Sequence, residues 1–304
     1  MVKRGVQNDV QTYWCKSCDC RFRSERRSEG HEDLWNAYVF NKQTVRELRE
    51  NTGYDKKTIF KYLDEHKVPE KKHVPRPIHL VVDATYFGTR IDKTAWGVIL
   101  FRDSDRKENI WWKYVDHETA DYYREGKEFL EQLGYKILSV TSDGFLGLPR
   151  VFEGIPFQMC QFHMKQIVVR NVTLNPQTEP GKVLLALAKT LTQTNEKEFL
   201  RRLQSFHITY FIFLSEKTTH PDGSKSWTHE GARRAYVSLL HWREYLFTYQ
   251  KYSDVPNTTN TCDGHFSHIK DIVRIHRGLC KSFKQKVLNA IFLESTIAPK
   301  KKKN

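Results

Sequence analysis

The apolar positions of this chain change their period from one stretch to the next. Between 31 and 67 they recur at helical spacing: Leu34, Trp35 and Tyr38, then Val45 and Leu48, then Ile59, Phe60 and Leu63. Thr44 with Glu47 three residues on is a capping box, Gly53 is a helix stop and Asp55 an N-cap. A supporting helix followed by two helices across a tight glycine turn predicts a helix-turn-helix, with the third helix entering a major groove. At Ile78 the period is lost. Ile78, Leu80, Val81 and Val82 form an apolar run, as in a strand covered on both faces. Thr94–Asp103 and Asn109–Asp116 read as antiparallel strands after it. Residues 117–135 return to helical spacing, with Tyr122, Phe129 and Leu133 expected against the sheet and Gly134 as the stop. Lys136–Gly144 then reads as a fourth strand. From Pro180 to Gln250 the pattern is helical throughout.

These periods divide the chain. We expect a basic arm over 1–30, the helix-turn-helix over 31–67, a proline- and lysine-rich linker over 68–77 (VPEKKHVPRP), a catalytic domain over 78–298 with a helical insertion at about 178–252, and a disordered basic tail over 299–304. With Asp83 and Asp143 at the ends of the first and fourth strands and Cys15 and Cys18 in the arm, the fold class expected is α/β: an RNase H-like mixed sheet with a helical insertion, preceded by a small zinc-ribbon-like remnant and an all-α helix-turn-helix.

Composition narrows the partners. Lysine and arginine outnumber aspartate and glutamate by 50 to 36, a formal charge of +14 on 304 residues. Such an excess draws polyanions, and nucleic acid is the commonest. A hydrophobic share of 39% supports a packed core. No run approaches the roughly 18–20 apolar residues of a membrane-spanning helix, and the start does not resemble a signal peptide. Six cysteines in a chain of this length are no disulfide scaffold. A cytoplasmic, nucleoid-associated protein without membrane contact is expected.

The candidate chemistry sits where the apolar runs end. Asp83 follows the first run, and Asp143 follows the fourth strand, sixty residues later (143 − 83). A carboxylate beside so apolar a run must be solvated, paired or metal-bound. Three strands, a helix and a fourth strand, with acids on strands one and four, describe an RNase H-like core in which neighbouring strands about 4.8 Å apart let two carboxylates share metal ions. Cys160 and His163 follow, three apart and on one helix face. In the arm, Cys15 and Cys18 are half of a tetrahedral zinc knuckle, with Cys20 and His31 irregularly placed to complete it. Arg21, Arg23, Arg26 and Arg27 there suit DNA phosphates, and Lys56, Lys57 and Lys61 on the third helix suit phosphates or guanine edges.

With Asp83, Asp143, the Cys-Gln-Phe-His run at 160–163, Thr258-Thr259-Asn260 and His276-Arg277-Gly278, the chain resembles the Mutator-like transposase superfamily of bacterial insertion sequences. The resemblance spans roughly Cys15 to Leu279. It implies a DNA transposase that binds insertion-sequence ends and carries out strand cleavage and strand transfer. Asp83, Asp143 and Asp263 would hold two Mg²⁺ or Mn²⁺ ions, His163 would meet the scissile phosphate or order the second acid, and Cys160 would pack beneath it. Asp263 departs from the family, which has glutamate there; Glu244 and Glu294 are alternatives without the Thr-Thr-Asn context. Arg233 and Arg234 would contact end DNA, Zn²⁺ would bind Cys15 and Cys18, and the protein would act as a homo-oligomer on paired double-stranded DNA ends. Two other readings stay open: a decayed or domesticated DNA-binding protein, and a different RNase H-like nuclease that cleaves without joining.

Overall fold

The computed structural model describes residues 1–7, 10–23, 29–88, 95–276 and 278–294. Arg26, Arg27 and the tail 299–304 lie outside them. The chain forms two units, one of residues 1–70 with 271–291 and one of residues 71–270 with 292–304. The sequence puts 78–298 in one domain; 271–291 instead pack with the N-terminal helices.

The first unit opens with an antiparallel sheet of β1 (Val2–Gln7), β2 (Val10–Trp14) and β3 (Arg21–Arg23), in that order. Three helices follow: α1 (Glu29–Val39), α2 (Val45–Thr52) and α3 (Lys56–Glu65). Their ends form as the capping residues dictate. The Thr44 N–H donates to Glu47 at 2.6 Å and the Glu47 N–H to the Thr44 hydroxyl at 3.3 Å. Gly53 takes a left-handed φ of 71° that a side chain would strain. Asp55 accepts from the Thr58 N–H at 2.8 Å. Leu34, Trp35, Tyr38, Leu48, Ile59 and Leu63 are buried between the helices. What the sequence did not suggest is that this core is completed from the far end of the chain. Phe283 lies edge-on to Trp35, Tyr38 and Phe60, and His276 stacks on Tyr38 at 3.9 Å. Lys286 donates to the Leu63 and Asp64 carbonyls, at the α3 C-terminus where the helix dipole favours a cation.

The second unit is built on a mixed sheet of β4 (Pro77–Phe87), β5 (Trp96–Asp103), β6 (Glu108–Val115), β7 (Lys136–Ser142) and β8 (Phe157–Met159). Their order is β6-β5-β4-β7-β8. β4, β5 and β6 run antiparallel, while β7 and β8 join parallel to β4. α4 (Ala120–Gln132) crosses from β6 to β7. The short α5 (Leu148–Val151) and β8 lead to α6 (Gln161–Val172). Leu80, Val82, Ile99 and Phe101 bury one sheet face against Tyr123, Leu130 and the helices beyond.

Three expectations need correction here. The α4 face turned inward carries Tyr123, Gly126 and Leu130, whereas Phe129 and Leu133 are exposed and Tyr122 is half-buried. Gly126 is the reason: a Cβ there would stand 2.7 Å from the Trp111 ring and 2.9 Å from that of Phe101, so the helix lies closest where it has no side chain. The stretch 180–250 is not helical throughout. α7 (Glu179–Lys189), α8 (Glu196–Ser215) and α9 (Glu230–Trp242) are separated at the Asn195 cap and by an exposed hairpin of β9 (Lys217–Thr219) and β10 (Lys225–Trp227). The end of the expected linker is not free: Arg76 pairs with Asp103 at 2.7 Å and Glu108 at 2.5 Å, and Lys71 also bonds Glu108. Last come α10 (Asn260–Ile275) and α11 (Lys281–Glu294), with the division between units falling inside α10.

Candidate metal centre

Alternation along β4 puts Leu80 and Val82 on the α4 side, and Val81 and Asp83 on the other. Cys262 of α10 lies on that second side, its Sγ 3.9 Å from the Val81 carbonyl. Asp83 is therefore mid-strand rather than at a strand end, 4% exposed, with Oδ1 accepting from the Ala84 N–H at 2.8 Å. Val82 pairs with Ser142 across the parallel β4–β7 ladder, which puts Asp143 one residue beyond β7, beside Asp83. Asp143 is half-buried and accepts from the Phe145 N–H at 3.4 Å.

His163 is in the first turn of α6, and Cys160 is its N-cap. Asp263 is in the first turn of α10. Ligand atoms of Asp83, His163 and Asp263 all lie within 4.8 Å of one another, the one such His/Cys/Asp/Glu group among the described residues. Asp143 is outside that set, although its charge is felt by Asp83.

Thr259 joins the parts. Its hydroxyl lies 3.0 Å from Asp263 Oδ2, 3.2 Å from His163 Nδ1 and 3.4 Å from Cys160 Sγ, and its N–H donates to the same sulfur at 3.3 Å. The turn that carries it is pinned to the sheet and α6: Thr141 donates to the Pro256 carbonyl at 2.7 Å, and the Gln161 N–H to that of Asn257 at 3.0 Å. The sequence marked Thr259 only as one letter of a motif. It had no signal for Glu118, whose carboxyl is raised to about 6 by burial and, after the opposing Tyr123 bond, by the Asp143 charge.

The electrostatics follow from crowding. Burial, then Asp143, holds the Asp83 carboxyl well above the usual range. Burial raises Asp143 as well. For His163 burial opposes the charge, but the Cys160 bond and charge and the Asp83 and Asp263 carboxylates outweigh it and lift the imidazole to about 9. Crowding of buried carboxylates of this kind is what a divalent cation would relieve. The carboxylates are hard oxygen donors, which suit Mg²⁺ or Mn²⁺.

The remaining predicted residues are placed as follows. Cys15 and Cys18 share the turn between β2 and β3, and hydrogen bonds from Ser17 and Cys18 draw the Cys15 thiol down to about 6. Among the described residues, no third ligand joins them. Arg21 is exposed on β3, where Arg23 pairs with Thr12 through the backbone. Lys56, Lys57 and Lys61 are all exposed on α3. Arg233 lies 3.8 Å over the Trp227 ring and donates to the Leu214 carbonyl, while Arg234 pairs with Glu230 at 2.5 Å. Glu244 pairs with Arg243, and Glu294 ends α11; neither belongs to the acidic cluster. Among the described residues, no helix is long and apolar enough to cross a membrane. No protein-family model matches the chain, and no curated protein matches it.

Proposed function

We propose that this protein is a DNA transposase with an RNase H-like catalytic unit, and that Asp83, Asp143 and Asp263 hold divalent metal for cleaving and joining DNA ends. The observation that carries the reading is the convergence of Asp83, His163 and Asp263, from β4, α6 and α10, within 4.8 Å. Residues 180 positions apart (263 − 83) are brought to one point over the central strand β4, with Asp143 alongside just beyond β7. The order β6-β5-β4-β7-β8, with three antiparallel strands and then two parallel ones, supports an RNase H-like fold. The net charge of +14 and the three exposed lysines of α3 support a DNA substrate read by the helix-turn-helix.

When bound, Mg²⁺ or Mn²⁺ would stabilise charge on the phosphate oxygens and favour ionisation of the attacking water or 3′-hydroxyl. The chain does the rest by placement. Asp83 offers a rigid, desolvated carboxylate from mid-strand, and Asp143 a second from the adjacent strand. Asp263 is one methylene shorter than the glutamate of the family, and the Thr259 bond fixes how that shorter arm points. His163 keeps a proton between the acids and stands ready to meet a phosphate oxygen, with Cys160 as its packed support. Zinc at Cys15 and Cys18 would need ligands from outside that turn.

A second reading, a DNA-binding protein that no longer cleaves, is favoured by one observation: Asp143 lies outside the converged set. The test is nicking and strand transfer by the full chain, in Mg²⁺ and in Mn²⁺, on supercoiled DNA carrying the sequences that flank its gene. Nicking lost in Asp83→Asn and Asp143→Asn with DNA binding kept supports the transposase. Nicking retained in Asp83→Asn refutes the metal-centre assignment. Binding by the unaltered chain without nicking establishes the second reading, and nicking without joining a nuclease.

A further inference from the structure

On the sheet face that carries Asp83, a second polar group lies buried under α10 where apolar packing would be expected. Arg102 on β5 pairs with Val81 in the β4–β5 ladder and is 6% exposed. Its guanidinium donates to Asn109 Oδ1, and its Nε has no partner among the described residues. Asn109 on β6 is fully buried; its Nδ2 lies 2.9 Å from His265 Nε2 and donates to the Phe292 carbonyl at 3.2 Å. His265 is on α10, two residues after Asp263.

Donor and acceptor roles run one way along this chain of groups. A guanidinium only donates, so it fixes Asn109 with its oxygen towards Arg102 and its amide towards the helix. The amide then requires an acceptor, so His265 presents a bare Nε2 and carries its proton on Nδ1. A buried cation that pairs with no carboxylate among the described residues is costly, and apolar residues of the same volume would hold two layers together more cheaply. What they would not do is select one rotation of the helix. Apolar neighbours such as Cys262, Phe266 and Ile269 tolerate small slides over a sheet, whereas a directional chain of hydrogen bonds is satisfied in one register. Each residue of slip turns an α-helix by about 100°, enough to swing Asp263 away from Asp83 and His163.

We infer that Arg102, Asn109 and His265 form a buried latch that sets the rotation of α10 and thereby delivers Asp263 to the metal centre. These are positioning residues, and the inference rests on the reading of Asp263 as a metal ligand. The test compares His265→Leu, which removes the acceptor, with His265→Gln, whose side-chain oxygen keeps one for Asn109. Asn109→Thr, cut at the middle link, serves if the leucine variant does not fold. Two measurements are made on folded protein: the half-saturating Mn²⁺ for DNA nicking, and the imidazole NMR resonances of His163, whose Nε2 stands 3.8 Å from Asp263 Oδ1.

The expected result is a half-saturating Mn²⁺ raised about tenfold or more in His265→Leu, displaced His163 resonances, unchanged affinity for duplex DNA, and recovery of both in His265→Gln. A folded His265→Leu or Asn109→Thr with His163 resonances and Mn²⁺ dependence like those of the unaltered chain overturns the latch. An unaltered chain that never nicks DNA overturns the transposase instead, and the His163 resonances still decide the latch.

Discussion

The Thr259 hydroxyl is 3.0 Å from Asp263 Oδ2 and faces His163 Nδ1 from 3.2 Å on its other side. One hydroxyl proton cannot serve both. With His163 protonated, its Nδ1–H donates to Thr259, which donates in turn to Asp263. Thr259→Val keeps the β-branched shape and removes that relay. Losing such an orienting partner costs about 10- to 100-fold in metal affinity or activity. The expected outcome is a loss of that size in Mn²⁺-dependent nicking with DNA affinity unchanged, and recovery in Thr259→Ser. Full nicking by the valine variant would show that Asp263 needs no such support.

The crowded acids make stability depend on pH in one direction. Asp83 is raised, so the folded state keeps a proton that the unfolded chain has already released, and stability falls as pH rises through that interval. His163 is raised to about 9, so its contribution is whole below its unfolded value near 6.5 and is lost as pH climbs through about 9. Both slopes are downward. In cation-free buffer the melting temperature should decline from pH 6.5 to 9, less steeply in His163→Gln. Mn²⁺ at 100 times its dissociation constant should restore about 2.7 kcal/mol at pH 8. Thermal unfolding with EDTA and with Mn²⁺ measures both, and a flat profile that Mn²⁺ leaves unmoved would contradict the cluster.

Much of this was legible because apolar runs and caps are local signals. The run Ile78–Val82 and the Thr44–Glu47 capping box each form where the residue types require them. The inward face of α4 was misread because counting apolar side chains passes over glycine, and Gly126 is where Trp111 comes closest. The hairpin after α8 escaped because its strands are short and mostly exposed, so no alternation marks them; Pro221-Asp222-Gly223 at its turn was the available signal. Arg102, Asn109 and Thr259 are ordinary polar letters until the fold brings their partners in from far along the chain.

The same non-locality governs residues 71–76, which composition alone marks as a linker. Arg76 is 12% exposed at its side chain, between Asp103 at 3% and Glu108 at 14%. Lys71 stays on Glu108 when Arg76 is removed, so the charge left uncompensated is that of Asp103, and losing one partner of a buried pair costs about 3–5 kcal/mol. Arg76→Met should therefore lower the urea midpoint by that equivalent, without changing the slope. A loss under about 1 kcal/mol would place the pair among solvent-screened ones.

Lys57 and Lys61 are exposed on α3, and Lys61 stands 3.8 Å from Glu65, too far and too solvated to be held there. Among the described residues neither has a strong partner to give up, so both are available to phosphate. Each phosphate contact neutralised by a lysine releases condensed counterions, and the slope of log affinity against log salt changes by about 0.9 per contact. Lys57→Ala should weaken duplex binding and lower the slope by about one, equally on gene-flanking and unrelated DNA if the contact is to phosphate alone. A loss confined to the gene-flanking DNA would instead mean that Lys57 reads a base edge. Binding titrations from 50 to 200 mM salt on both duplexes separate the two, and an unchanged slope on both would remove α3 from the DNA interface.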